Sequence, residues 1–198
     1  MTAAGHVLTP LEIIGQVVRE RWGRARVLVM GAAELADVMA AAGHELVDVK
    51  DWRHAGVVVV GNDFDLTYER LAAAARAVAA GAPLVTPNVD PRLPIEGGDF
   101  MPGCGAIVAA VATAAGAEPV VVGKPAAPLF EVALRRLGLA AAEAAMVGDS
   151  VDSDIRGARA VGMRAVLYAP GGAPAGAGAD AVIRSFAELA GLAGVAVA

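Results

Sequence analysis

With 198 residues, a formal net charge of −5 and 57% hydrophobic residues, the chain is one large domain or two small ones, long enough to bury a core. Small residues (Ala, Gly and Val) supply most of that hydrophobicity, and no apolar run reaches the roughly 18 residues a membrane span needs, the best stretch being Gly105–Gly116. The acidic balance and the lack of any basic cluster exclude a duplex nucleic-acid partner, which would call for a positive stripe.

Met1–Thr9 has no basic start and is followed by Glu12, Arg19, Glu20 and Arg21, so no leader is expected there. Thr9-Pro10-Leu11-Glu12 opens the first helix as a capping box with proline in the first turn, and Ile13, Ile14, Val17 and Val18 share one face up to Gly23. Arg26–Met30 reads as a buried strand, Glu34–Ala42 as a helix, and Glu45–Val49 as a weak strand. Val57–Val60 is a run of β-branched residues closed by Gly61, the pattern of a buried parallel strand. Thr67 then caps a helix running to about Ala80, and Leu84–Thr86 is another strand. Pro87–Gly105, rich in Pro, Gly and Asp, reads as a long loop, and the domain boundary is expected there, dividing the chain into 1–100 and 101–198.

Beyond it come a helix over Ala106–Ala115, a strand at Val120–Val122, a helix over Pro128–Leu137 and a strand at Ala144–Val147. A helix over Asp152–Val161, a strand at Ala165–Tyr168, a loop over Pro170–Gly178, a strand at Ala181–Ile183 and a helix over Phe186–Leu192 complete the chain. Strands alternating with helices mean parallel sheets with crossover helices, an α/β fold. The lone Cys104, between Gly103 and Gly105, allows no internal disulfide and reads as a small buried residue. A soluble, cytoplasmic α/β protein is the expectation at this level.

Ligands of such sheets bind at the carboxyl ends of the strands, and two strand ends here are chemically loaded. Val120-Val121-Val122-Gly123-Lys124-Pro125 places an ammonium directly after an apolar strand. Met146-Val147-Gly148-Asp149-Ser150 places a carboxylate after another, and Asp154 opens the following helix near enough to share a site. Mg²⁺ takes one or two carboxylates, several waters and a substrate phosphate, so Asp149 and Asp154 suit it as metal ligands while Lys124 balances the phosphate charge. Helix N-termini after both strands add partial positive charge. Alone, a Gly-Lys-Pro is a turn and a Gly-Asp-Ser-x-Asp a helix cap; in order, one strand–helix unit apart, they point to a phosphoryl-transfer site built on Lys124, Asp149 and Asp154.

These two segments resemble the third and fourth motifs of the haloacid dehalogenase (HAD) superfamily. Val57–Thr67, Ala82–Pro94, Met101–Ala110 and Val120–Val132 further resemble its 4-nitrophenylphosphatase and phosphoglycolate phosphatase subgroup, and the likeness runs from about Thr9 to Leu189. The resemblance implies a HAD-like Rossmannoid core carrying an inserted α/β cap, with Lys124 as the motif lysine, Asp149 the direct Mg²⁺ ligand and Asp154 the supporting acid. It implies hydrolysis of phosphate monoesters, with a small phosphorylated metabolite as substrate.

Members of that superfamily open with a strand ending in Asp-x-Asp, whose first Asp is the nucleophile and second the acid/base, and a second motif supplies a phosphate-binding Ser or Thr. The chain begins almost where the cap of the subgroup begins, so the core is expected to be incomplete, with its first strands missing. Two readings follow: a truncated or divergent phosphatase, or an inactive pseudo-phosphatase or subunit that needs a partner chain for the Asp-x-Asp segment. A dimer, a rearranged core or a partner chain completing the core is expected on the same ground. Asp63-Phe64-Asp65-Leu66-Thr67 literally fits the missing motif, with Asp63 as nucleophile, Asp65 as acid/base and Thr86 as the second-motif residue. The same stretch also resembles the subgroup's cap, a reading favoured here, in which Asp63 and Asn88 are positions for substrate-selective contacts.

Overall fold

Four consecutive valines offer no polar face, so a sheet can accept them only where both of its sides are covered. Val57–Val60 (β3) are fully buried in the centre of a parallel sheet. The computed structural model describes residues 7–172 and 174–192 and falls into two compact units, Met1–Gly123 and Lys124–Ala198. The expectation of no leader over Met1–Thr9 lies, for residues 1–6, outside the described residues.

The first unit is a five-stranded parallel sheet in the order β2 (Glu45–Val47), β1 (Arg26–Met30), β3, β4 (Leu84–Thr86) and β7 (Val120–Val121). Helix α1 (Pro10–Trp22) starts as its sequence dictates: Thr9 Oγ1 accepts the Glu12 N–H at 3.2 Å, and Gly23, at φ 70°, ends the helix. Its apolar face, Ile13, Ile14, Val17 and Val18, is buried. Helix α2 (Ala33–Ala41) connects β1 to β2; α3 (Tyr68–Ala79), capped by Thr67 Oγ1 on the Arg70 N–H, connects β3 to β4. His44 ties α1 to the start of β2: its Nδ1 accepts the Ala25 N–H at 3.2 Å and its Nε2 lies 3.0 Å from the Gly15 carbonyl, the arrangement of a neutral ring protonated on Nε2.

Two expectations change. The unit boundary falls between Gly123 and Lys124, not near residue 100. Helix α4 (Cys104–Ala115), assigned by sequence to the second domain, sinks Cys104, Ile107, Val108 and Val111 into the first unit's core beside Val58, Val60, Ala77 and Leu84, and β7 pairs with β4. The composition break that marked the boundary is instead an excursion. Within the expected loop, β5 (Arg92–Pro94) and β6 (Phe100–Pro102) form an antiparallel hairpin turning at Glu96–Gly98, where Gly97 and Gly98 both take positive φ. A 3₁₀ segment, Val49–His54, was not foreseen either; Asp48 caps it by accepting the Lys50 N–H.

The second unit holds a three-stranded parallel sheet in the order β10 (Ala181–Ile183), β9 (Arg164–Tyr168) and β8 (Ala145–Gly148). One face carries α5 (Ala127–Leu137) and α6 (Arg156–Ala160), with Phe130, Ile155, Ala158, Ala165 and Leu167 forming the buried cluster. Helix α7 (Leu189–Leu192) closes the described chain. Among the described residues β8 pairs on one side only, so its other edge leaves backbone groups unpaired.

Candidate phosphoryl-transfer site

The second unit brings Lys124 and Asp154, thirty residues apart, into one ion pair with Nζ 2.6 Å from Oδ1. Asp154 is nearly sealed from water at 3% exposure, whereas the Lys124 side chain is 38% exposed. A buried carboxylate is tolerated only when paired and hydrogen-bonded, and Asp154 meets both conditions. Its second oxygen, Oδ2, accepts the Ser150 N–H at 3.1 Å. Lys124 uses one ammonium proton on Asp154 and retains two donors on its open side.

The backbone around Asp154 is shaped for this. Ser150 Oγ accepts the Ser153 N–H, and the Ser150 carbonyl accepts the N–H of both Asp154 and Ile155, which gives Val151–Ile155 one wide π-type turn ahead of α6. Gly148 lies against the Asp154 carboxylate so closely that an added Cβ would overlap Oδ2, Cγ and Cβ. The glycine is required there for approach rather than for turning. Helix α5 begins at Ala127 with Ala126 as its cap, a residue with no side-chain acceptor, so the positive end of the helix stands bare two residues after Lys124.

Asp149 differs from Asp154. It is exposed, and among the described residues its carboxylate makes no hydrogen bond or ion pair. Among those residues no three His, Cys, Asp or Glu gather into a cage for a metal ion. Mg²⁺ asks for less, since it keeps several waters and shares the substrate's phosphate, and a free carboxylate at a strand end suits it. Asp154 has both oxygens engaged, one by Lys124 and one by the Ser150 N–H, whereas those of Asp149 are left open. Residue type and spacing put the two carboxylates on an equal footing, and only the family resemblance gave Asp149 the direct and Asp154 the supporting part.

The other candidates lie in the first unit. Asp63 is buried, its side chain 2% exposed, and Oδ2 is gripped by Arg70 through Nη2 at 2.7 Å and Nε at 2.8 Å. Oδ1 accepts the Asp65 N–H, closing an Asx turn. Thr86, fully buried, donates its hydroxyl proton to the Asn88 carbonyl at 2.8 Å, and Cys104 Sγ lies 3.1 Å from the Thr86 hydroxyl oxygen. Burial pushes the Cys104 thiol up from its ordinary pKa, in keeping with an inert core residue. Asn88 Oδ1 accepts the Asp90 N–H, and the residue borders a cavity at the strand ends together with Asn62. Sequence reasoning passed over Asn62, although its signal was present: Gly61-Asn62 after Val57–Val60 repeats the step of Gly148-Asp149 after Ala145–Val147.

Removing Arg70 would leave a sealed carboxylate with one backbone donor. Arg70→Ala is therefore expected to destabilise the first unit by about 2–3 kcal/mol, below the roughly 3–5 kcal/mol of a fully buried pair because Arg70 keeps some contact with water. A urea midpoint unchanged from that of the parent chain would show that the pair carries no such load.

Lys124 follows β7 and Asp149 follows β8, so the strand ends of a Rossmann-like α/β chain carry a lysine held by a sealed carboxylate and a second carboxylate left open, groups that suit phosphoryl transfer. Residues 121–189 match the HAD-hydrolase-like family. An acid sugar phosphatase of Staphylococcus aureus is 37% identical over 157 residues, which is 79% of this chain and 59% of that protein. A single mutant of thermostable NPPase from Geobacillus stearothermophilus superposes with a TM-score of 0.83 at 31% identity, covering 93% of this chain and 74% of that one. A glycerol phosphate phosphatase of Mycobacterium tuberculosis, solved in complex with magnesium, gives a TM-score of 0.75 at 39% identity over 85% of this chain and 50% of that one. The chain belongs to the HAD superfamily of hydrolases, with the NPPase-like phosphatases. It spans less than two thirds of the length of the curated phosphatase it matches at 37% identity.

Proposed function

We propose that the chain carries the metal-and-lysine side of a Mg²⁺-dependent phosphate monoester hydrolase acting on a small phosphorylated metabolite. The observation that carries this reading is the Lys124–Asp154 pair at 2.6 Å, whose carboxylate also holds the N–H of Ser150, the residue after an Asp149 that is unpaired among the described residues. Asp149 would hold Mg²⁺, which supplies a Lewis acid for the phosphoryl oxygens. Lys124 turns its two remaining donors to those oxygens, and Asp154 fixes where the ammonium stands. The bare N-terminus of α5 adds favourable potential for the same anion. Asn88 remains a residue for substrate contact in the first unit; Asp63 has that role only if Arg70 releases it.

A second reading is favoured by the grip of Arg70 on Asp63. The carboxylate that the literal Asp-x-Asp motif would use as phosphoryl acceptor is already taken, so the chain would bind metal and phosphate without turnover unless another segment brings the acceptor. The unpaired edge of β8 supports such an addition, by a second copy of this chain or by a partner strand. A dimeric mass by light scattering is expected, and a monomer that persists at micromolar concentration counts against the addition of a second copy. No described helix is long and apolar enough to cross a membrane; a cytoplasmic setting belongs to the same proposal.

Hydrolysis of 4-nitrophenyl phosphate with Mg²⁺ separates the readings. The phosphatase reading expects turnover that is lost in Asp149→Asn and kept in Asp63→Asn. Loss in both variants would restore Asp63 as nucleophile. No turnover in the parent chain, with Mg²⁺ and phosphate still bound, supports the binding subunit.

A further inference from the structure

The first unit carries a groove between the 3₁₀ segment Val49–His54 and helix α3, with a volume of about 420 Å³. Its floor is apolar and low. Val49 and the half-buried Trp52 stand on one side, and Ala72 and Ala73, too small to fill the space, on the other. Trp52 also packs against the unit's core, and the Arg53 guanidinium lies 4.4 Å from the centre of its ring, so the indole is held in place. Tyr68, Ala72 and Arg76 recur at i, i+4 and i+8, which gives α3 one stripe along the groove, about 12 Å long at about 1.5 Å per residue.

The rim is charged and open. Lys50 and Arg76 line the groove, and among the described residues neither side chain makes an ion pair or a hydrogen bond. Acids are in excess, 21 against 16 bases, and Arg26, Arg70, Arg156 and Arg159 each find a carboxylate. Glu69 borders the same groove and is also unpaired among the described residues. Tyr68, 86% exposed, has no cover. Bare aromatic rings flanked by arginine over a small apolar floor are the composition of an interface anchor. Both walls are helical, with backbone groups engaged in their own turns, so an added strand finds no edge here. A helix laid in the groove would meet it through side chains alone, and two turns of it match the stripe.

We propose that this groove docks an acidic amphipathic helix of a partner protein. Its apolar side chains enter over Ala72 and Ala73 against Trp52, and its carboxylates meet Lys50 and Arg76. Glu69 asks for one basic residue opposite it. The inference stands on the first unit alone and does not rest on the proposed function.

The test is a titration of the ¹⁵N-labelled full chain with a synthetic helical peptide of about four turns, leucine on one face and glutamate on the other. The same peptide with lysine for glutamate, and adenosine monophosphate, are the comparison arms. The glutamate peptide is expected to shift the Trp52 indole N–H and the amides of Lys50, Glu69, Ala72 and Arg76 saturably, and to leave the Trp22 indole unmoved. Lys50→Glu and Arg76→Glu, at exposed positions where folding is not at stake, are each expected to weaken it about five- to tenfold. Equal binding of both peptides, shifts that do not saturate, or affinity unchanged in both variants would overturn the assignment. So would adenosine monophosphate moving the same signals at lower concentration, which assigns the groove to a nucleotide. Shifts that grow with protein concentration alone would assign it to a second copy of the chain and overturn it too.

Discussion

Asp149→Asn is expected to weaken Mg²⁺ binding by on the order of 100-fold, at little change in stability. Groups that only support a metal's ligands are worth about 10–100-fold, and a carboxylate open to the ion itself is worth more. The amide keeps the size of the side chain but presents one neutral oxygen to a cation that prefers charged, hard donors. Stability is spared because Asp149 is exposed and contacts no described partner. The measurement is calorimetric titration with Mg²⁺ beside a urea unfolding curve. Equal Mg²⁺ affinity in parent and variant would remove Asp149 from the site.

Gly148→Ala has the other large expected effect, and it strikes both stability and binding. The new methyl would occupy the space of the Asp154 carboxylate. Asp154 cannot retreat cheaply, because its two oxygens hold Lys124 and the Ser150 N–H and the residue is sealed from water. Either β8 shifts or the Lys124–Asp154 pair opens, and an overpacked core position of this kind costs about 1–3 kcal/mol. Phosphate affinity falls with it, since Lys124 loses the partner that fixes its ammonium. A variant that unfolds at the parent's urea midpoint and binds phosphate normally would mean the close approach is relaxed in solution.

Much of this was legible in the residues. Thr9 and Thr67 marked helix starts that their hydroxyls indeed cap, because a capping signal is local and needs no tertiary context. Val57–Val60 read correctly as buried because its pattern has one physical solution. Lys124 and Asp149 stood out as candidates because a glycine followed by a charged residue after an apolar strand fixes position along the chain and along the sheet at once.

The rest depended on partners far away in sequence. The division at Gly123 was hidden because Pro and Gly mark a hairpin as readily as a linker; only the packing of α4 on α3 and β3 shows which. By residue type alone Asp149 and Asp154 looked alike, the resemblance aside, since burial separates them and burial is not written in a five-residue window. Asp63 matched a nucleophile motif on paper, but its pairing with Arg70 spans a turn and the first turn of α3, a contact that no helical or strand period predicts. Asn62 was missed because its interest comes from the cavity and from an unmet hydrogen bond, both of which arise only in the fold.

Coupled binding tests the central claim most directly. Mg²⁺ titrated calorimetrically into the full chain, with and without inorganic phosphate, is predicted to bind at least tenfold tighter when phosphate is present, about 1.4 kcal/mol of coupling, with that gain lost in Asp149→Asn and in Lys124→Ala. Mg²⁺ affinity that ignores phosphate, or coupling that survives both substitutions, would contradict a shared metal-and-phosphate site at Lys124, Asp149 and Asp154.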